Sequence, residues 1–242
     1  MNTGIKSFLK SLCFVLGCSA VTVNSAEIRL FKDICFGDPV EKILQQNEMG
    51  FCRDVNQDLA LTFGNESICR KEPLAFLGHD DWVMVVRTEA SKATNVILLN
   101  QFDLNMLLSV VSSLGKSGYV PVTIDDGQAV RLDLFSEIKN AKEKNQIVDF
   151  STRFSEVSND IVKSRNFNLG YVFIKIEDKR KLPSIQMYGN FQGYLHSAAP
   201  ETLRSVEMRY IHQNESELVL MNFIAPKAAL NKIQSEAPIE EF

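Results

Sequence analysis

Three histidines, five cysteines and a few neighbouring carboxylates are the residues best suited by type to do chemistry. Gly78-His79-Asp80-Asp81 sets an imidazole beside two carboxylates, a grouping that could hold a metal or serve a hydrolase whose site is assembled from distant segments. The same residues suit a loop entering the apolar run at Trp82, and the loop is the favoured reading. His196 falls in a loop and His212 begins a hairpin turn, so neither demands a role. Asp125 and Asp126 are adjacent, and adjacent strand or turn residues point apart, which fits a turn better than an acid/base pair. There is no G-x-S-x-G elbow, and the scattered single glycines make neither a phosphate loop nor a dinucleotide fingerprint. No catalytic residue, cofactor or metal site is therefore assigned.

Three cysteines carry the firmest chemistry: Cys35, Cys52 and Cys69 follow one another at intervals of 17 positions. No C-x-x-C pair and no histidine lies among them, which argues against zinc and for a disulfide in an oxidising compartment. Spacing does not choose the pair. On the chain-entropy account a loop between adjacent cysteines contributes about 3.2 kcal/mol and the longer Cys35 to Cys69 loop about 3.8. Cys52 with Cys69 is favoured because residues 59–63 read as one strand with loops at both ends, which brings the ends near. Cys35 is then left as a buried small hydrophobe.

The compartment is set by residues 1–26. Lys6 and Lys10 precede the apolar run Leu12-Cys13-Phe14-Val15-Leu16, no acid is present, and small residues end at Ser25-Ala26. This is the layout of a secretory signal peptide, and its apolar run is too short to span a bilayer. Cleavage after Ala26 removes two lysines, so 26 basic residues become 24 against 30 acidic ones and the net charge moves from −4 to −6. Val15-Leu16-Gly17-Cys18 resembles the lipobox of bacterial lipoproteins, which implies a second possibility: lipid on Cys18 and a membrane anchor. Either way the expected location is outside the cytoplasm, periplasmic or secreted, or on the outer membrane as a lipoprotein. The acidic balance excludes a nucleic-acid partner, since Lys139, Lys142 and Lys144 are interleaved with acids and Lys179, Arg180 and Lys181 occupy a short turn.

The elements that would position these residues alternate between strand and helix patterns. Asp38-Pro39 opens a helix over 39–46. Residues 59–63, 82–86 and 95–99 read as strands, the last two as an antiparallel pair, and residues 73–76 extend the sheet. Leu104, Leu107, Leu108, Val111 and Leu114 mark one face of a helix capped by Asp103. Residues 122–124 and 129–132 flank an Asp126-Gly127 turn. Ile147, Phe150, Phe154, Val157 and Ile161 describe one amphipathic helix of about five turns. A strand over 169–176, a turn over 179–183, a hairpin over 206–223 and a helix from Pro226 complete the chain. The expectation is an α+β fold: antiparallel sheet packed on a few helices, with one long amphipathic helix near the middle. No internal repeat is visible. The halves 27–135 and 136–242 are either two units meeting within 136–144 or one continuous domain 27–242.

Within the glycine- and aromatic-rich stretch 185–194, an irregular strand or loop, Tyr188, Phe191 and Tyr194 are the candidate binding residues. Together these features point to a non-enzymatic protein that binds a protein or peptide of the cell envelope, in a binding, inhibitory or immunity-type role. The contact would use that aromatic stretch or an exposed sheet edge. The other readings are a lipoprotein aiding envelope assembly and the hydrolase centred on His79, Asp80 and Asp81.

Overall fold

Alternation of apolar and polar residues demands a sheet with one deeply buried face, and two hairpins supply its centre. The computed structural model describes residues 27–101, 104–144, 149–164, 166–176, 188–213 and 216–236. A ribbon of β1 (Arg29–Phe31) and β2 (Ile34–Cys35) leads to α1 (Val40–Leu44). Pro39 is the residue just ahead of that helix, and Asp38 turns away from it to accept from the Cys35 backbone N–H at 2.8 Å and from Lys42 Nζ at 2.7 Å. Next come β3 (Met49–Phe51), α2 (Cys52–Val55), α3 (Gln57–Phe63), β4 (Ile68–Arg70) and β5 (Leu74–Phe76). The long strands β6 (His79–Glu89) and β7 (Lys92–Gln101) precede α4 (Leu104–Lys116).

After α4 come β8 (Tyr119–Asp125), β9 (Val130–Asp133), α5 (Leu134–Glu143) and α6 (Phe150–Val162). The chain continues through β10 (Phe167–Lys175), α7 (Phe191–Ser197), β11 (Ser205–Gln213), β12 (Ser216–Ile224) and α8 (Pro226–Glu236). One antiparallel sheet runs in the order β3-β4-β6-β7-β12-β11-β10-β8-β9, with β5 also on β6. Strands from both sides of residue 136 are hydrogen-bonded neighbours, because β7 pairs with β12 around Leu98 and Met221. Each half contributes a hairpin followed by a helix, and the last strands of the two hairpins meet antiparallel.

One face of the sheet carries the main core. Met84 and Val86, Val96 and Leu98, Val206 and Met208, and Val219 and Met221 alternate inward along four successive strands. Against them pack Met106, Val110 and Leu114 of α4 and Phe154, Val157 and Ile161 of α6. Trp82 is fully buried and its indole N–H donates to the Phe76 carbonyl at 3.1 Å, so the large ring brings no unpaired polar atom into the core.

Three sequence expectations are corrected. Residues 59–63 form helix α3: Asn56 accepts from the Leu59 N–H at 3.1 Å, and Gly64 ends the helix at a φ of 98°. The five-turn amphipathic helix expected through Ile147 and Ile161 is the shorter α6, which begins where Asp149 caps it by accepting from the Thr152 N–H at 3.1 Å. Its apolar stripe at Phe154, Val157 and Ile161 does face the core, while Ile147 lies outside the described residues. Residues 191–197 are helical rather than irregular, with Asn190 accepting from the Gly193 N–H at 2.7 Å. The Asp103 cap and the turn at 179–183 lie outside the described residues.

Candidate binding groove

The second face of the sheet is closed at its two ends and polar between them. At one end α2 and α3 cover Val85 and Ile97, which alternate with the main-core residues of β6 and β7. The Cys52–Cys69 disulfide fastens this cap to β4, with both cysteines fully buried. At the other end Phe135 of α5 and Phe191, Tyr194 and Leu195 of α7 cover Val122 and Ile174. Asp133 joins those two helices: its carboxylate accepts from the N–H groups of Phe135 at 2.9 Å, Ser136 at 3.2 Å and Phe191 at 2.9 Å.

Between the caps, strand alternation dictates the lining. Because Val206, Met208 and Tyr210 of β11 face the core, Ser205, Glu207 and Arg209 face the groove. Asn95 of β7 and Asn222 of β12 join them. Thr94 Oγ1 donates to Asn95 Oδ1 at 2.9 Å, Asn95 Nδ2 to Asn222 Oδ1 at 2.7 Å, and Asn222 Nδ2 to Glu207 Oε2 at 3.0 Å. The strip continues along β11 to Arg209, whose Nη1 and Nη2 reach across β10 to the two oxygens of Asp125 on β8 at 2.8 and 3.4 Å in a forked pair.

Gly170 makes that pair possible. It sits opposite both Arg209 and Asp125 in the sheet register, and a Cβ there would lie 2.3 Å from Asp125 Oδ2. Arg209 Nη1 also donates to Asn168 Oδ1 at 3.3 Å, and Asp125 Oδ1 accepts from the Gly127 N–H at 2.9 Å. Asp126, the neighbour of Asp125, holds the β8–β9 turn. The N–H groups of Ala129 and Gln128 keep its carboxyl below the usual carboxylate range. Adjacent aspartates thus divide into a turn former and a partner for arginine.

A cavity of about 320 Å³ opens in this groove. Thr123, Asp125, Ser205, Glu207 and Arg209 contribute polar groups to its lining, and Val172 and Leu195 apolar ones. Ser205 is 2% exposed, and among the described residues its hydroxyl has no hydrogen-bond partner. A wider depression of about 660 Å³ lies between α6 and the β8–β9 hairpin, but its charges are already matched: Arg131 with Asp126 at 3.1 Å, and Arg153 with Glu156 at 3.4 Å.

The residues singled out in the sequence are placed as follows. Cys52 and Cys69 are bonded, and Cys35 is a free, buried thiol whose pKa is raised first by burial and then by the nearby Asp38 and Glu27 carboxylates. Cys18 lies outside the described residues. Phe191 and Tyr194 are buried, a correction to their expected exposure. Their rings lie 5.9 and 5.3 Å from that of Phe135, and half-buried Tyr188 is 5.7 Å from Tyr194. Tyr194 and its neighbours close a cap because helical spacing gathers apolar rings that a loop would have left in water.

His79 begins β6, with Asp80 and Asp81 exposed beside it. Among the described residues no group of three or more His, Cys, Asp or Glu side chains is placed to hold a metal. Ser205, Glu207 and Arg209 escaped sequence reasoning, and Asp125 was read only as a turn residue. The period-two pattern of β11 was the available signal, but it says only that these three β11 residues share a face.

The fold and groove define an α+β protein built on one antiparallel sheet, with a polar channel across its second face. Comparison with protein-family models, curated proteins and solved structures gives no match.

Proposed function

We propose that this is a secreted or periplasmic non-enzymatic protein that binds a peptide, or an extended segment of another envelope protein, in the groove between the two caps. The observation that carries the reading is the strip of amide, carboxylate and guanidinium groups from Asn95 to Asp125, held in fixed orientations by side-chain hydrogen bonds beside a cavity between the two caps. Such groups meet the backbone and side-chain polar atoms of an extended chain with little reorganisation. Beyond the strip, the buried Cys52–Cys69 disulfide suits an oxidising compartment. Among the described residues no helix is long and apolar enough to cross a membrane.

The test is position-specific photocrosslinking in the native host. A crosslinker replacing Gln192, at the cavity wall, is expected to capture one protein partner. The same group at Leu61, exposed on α3, is expected to capture none. Equal labelling from both positions would sink the proposal.

A further inference from the structure

We infer that the cavity receives a basic side chain, lysine or arginine, of the bound peptide, with Glu207 as its counter-ion. This rests on the groove-binding reading above and assigns the chemistry of its central contact. Three carboxylates line the cavity, and two of them are already satisfied. Asp125 is forked to Arg209, and Asp133 accepts three backbone N–H groups. Glu207 differs: it accepts from a neutral amide, Asn222 Nδ2, and among the described residues no ion pair joins it to a cation. Its charge is therefore the unspent one in a half-buried, concave site, where a cation is attracted more strongly than on an open surface.

A second observation stands apart from charge. Ser205, which lines the cavity, precedes Glu207 by two residues on the same strand face, and among the described residues its buried hydroxyl has no hydrogen-bond partner. Ammonium and guanidinium groups are multiple donors without acceptors, so they suit a carboxylate flanked by a hydroxyl oxygen. Val172, the neighbour of Glu207 in the sheet register, and Leu195 of α7 provide the apolar surface against which the methylene stem of such a side chain packs.

The experiment is an NMR titration of the disulfide-intact protein with the blocked heptapeptide Gly-Ser-Gly-Lys-Gly-Ser-Gly and with its counterpart carrying norleucine for lysine. The lysine peptide is expected to shift the amides of residues 123–125 and 205–209 and to bind about tenfold tighter than the norleucine peptide. Glu207→Gln, nearly isosteric, should abolish that difference while leaving the spectrum folded. Ser205→Ala should weaken the lysine peptide several-fold without lowering the thermal midpoint, because among the described residues its hydroxyl makes no hydrogen bond to lose.

Equal affinity for the two peptides, or a Glu207→Gln protein that still prefers lysine, would overturn the counter-ion role. If neither peptide shifts groove amides while the Gln192 crosslink persists, the inference falls and the groove reading stands. If that crosslink is absent as well, both fall.

Discussion

The two ends of the second sheet face are closed by opposite means. The cap of α2 and α3 is small: Ala60 and the cysteines meet Val85 and Ile97, and no aromatic residue is fully buried there. A covalent bond compensates by holding its two segments together in the unfolded chain as well as the folded one. The cap of α5 and α7 has no disulfide. It relies on Phe135, Phe191 and Tyr194 packed ring to ring and on one aspartate that accepts from both helices. A sparse apolar cluster thus uses a covalent staple where a ring-rich one uses packing, and the groove between them inherits rigid walls from both.

Breaking the aromatic cap should have the largest effect. Phe135→Ala removes the ring at its centre and is expected to cost about 3–5 kcal/mol, read as a lower urea midpoint. Hydrogen exchange should quicken in α5 and α7 and stay slow at Cys52 and Cys69. Loss of protection at both ends would show that the caps are not independent.

Replacing Cys52 and Cys69 together by alanine should cost about 3 kcal/mol on the chain-entropy account, with the exposure confined to α2 and α3. Cys35, buried and free, is expected to resist alkylation in the native protein in either background. Asp133→Ala should cost about 2 kcal/mol, because it removes the cap of α5 and leaves the Phe191 N–H without its acceptor. Its signature in the comparison is uncoupling of α7 from α5 with the disulfide cap untouched.

Alkaline pH should make the smallest and most selective change. Burial, and then the neighbouring Tyr188, raise the Tyr194 pKa above its usual value of 10.0. A raised folded-state pKa means stability that is complete below the unfolded value and is lost as pH climbs through the folded one. Exchange-protected amides of α7 should therefore weaken above pH 10, ahead of those in the disulfide cap, which has no tyrosine. Simultaneous loss at both ends would remove the distinction.

Hairpins were the most legible part of the chain. Residues 82–99 and 206–223 announce their pairing through alternation and short polar turns, and the observed registers follow it. Residues 59–63 misled because Leu59, Leu61 and Phe63 alternate as a strand would. Asn56 and Gly64 cap a helix there, and Leu61 is left 84% exposed. Asp149 misled in the opposite sense: it looked like one more polar residue on a helix face, yet it starts α6. In both places end chemistry outweighed periodicity.

Local signals in the chain establish which residues share a strand face, where the principal hairpins turn, that three cysteines stand ready for pairing, and that acidic residues outnumber basic ones. Those properties are local, set by a period of two or 3.6 residues or by composition. Only the tertiary structure decided what each face meets. Periodicity cannot say that β7 pairs with β12, that Gly170 leaves room for Asp125 to reach Arg209, or that Phe191 and Tyr194 are core rather than surface. The physical reason is that these contacts join segments far apart in the chain, and only the completed sheet brings them within hydrogen-bonding or van der Waals range.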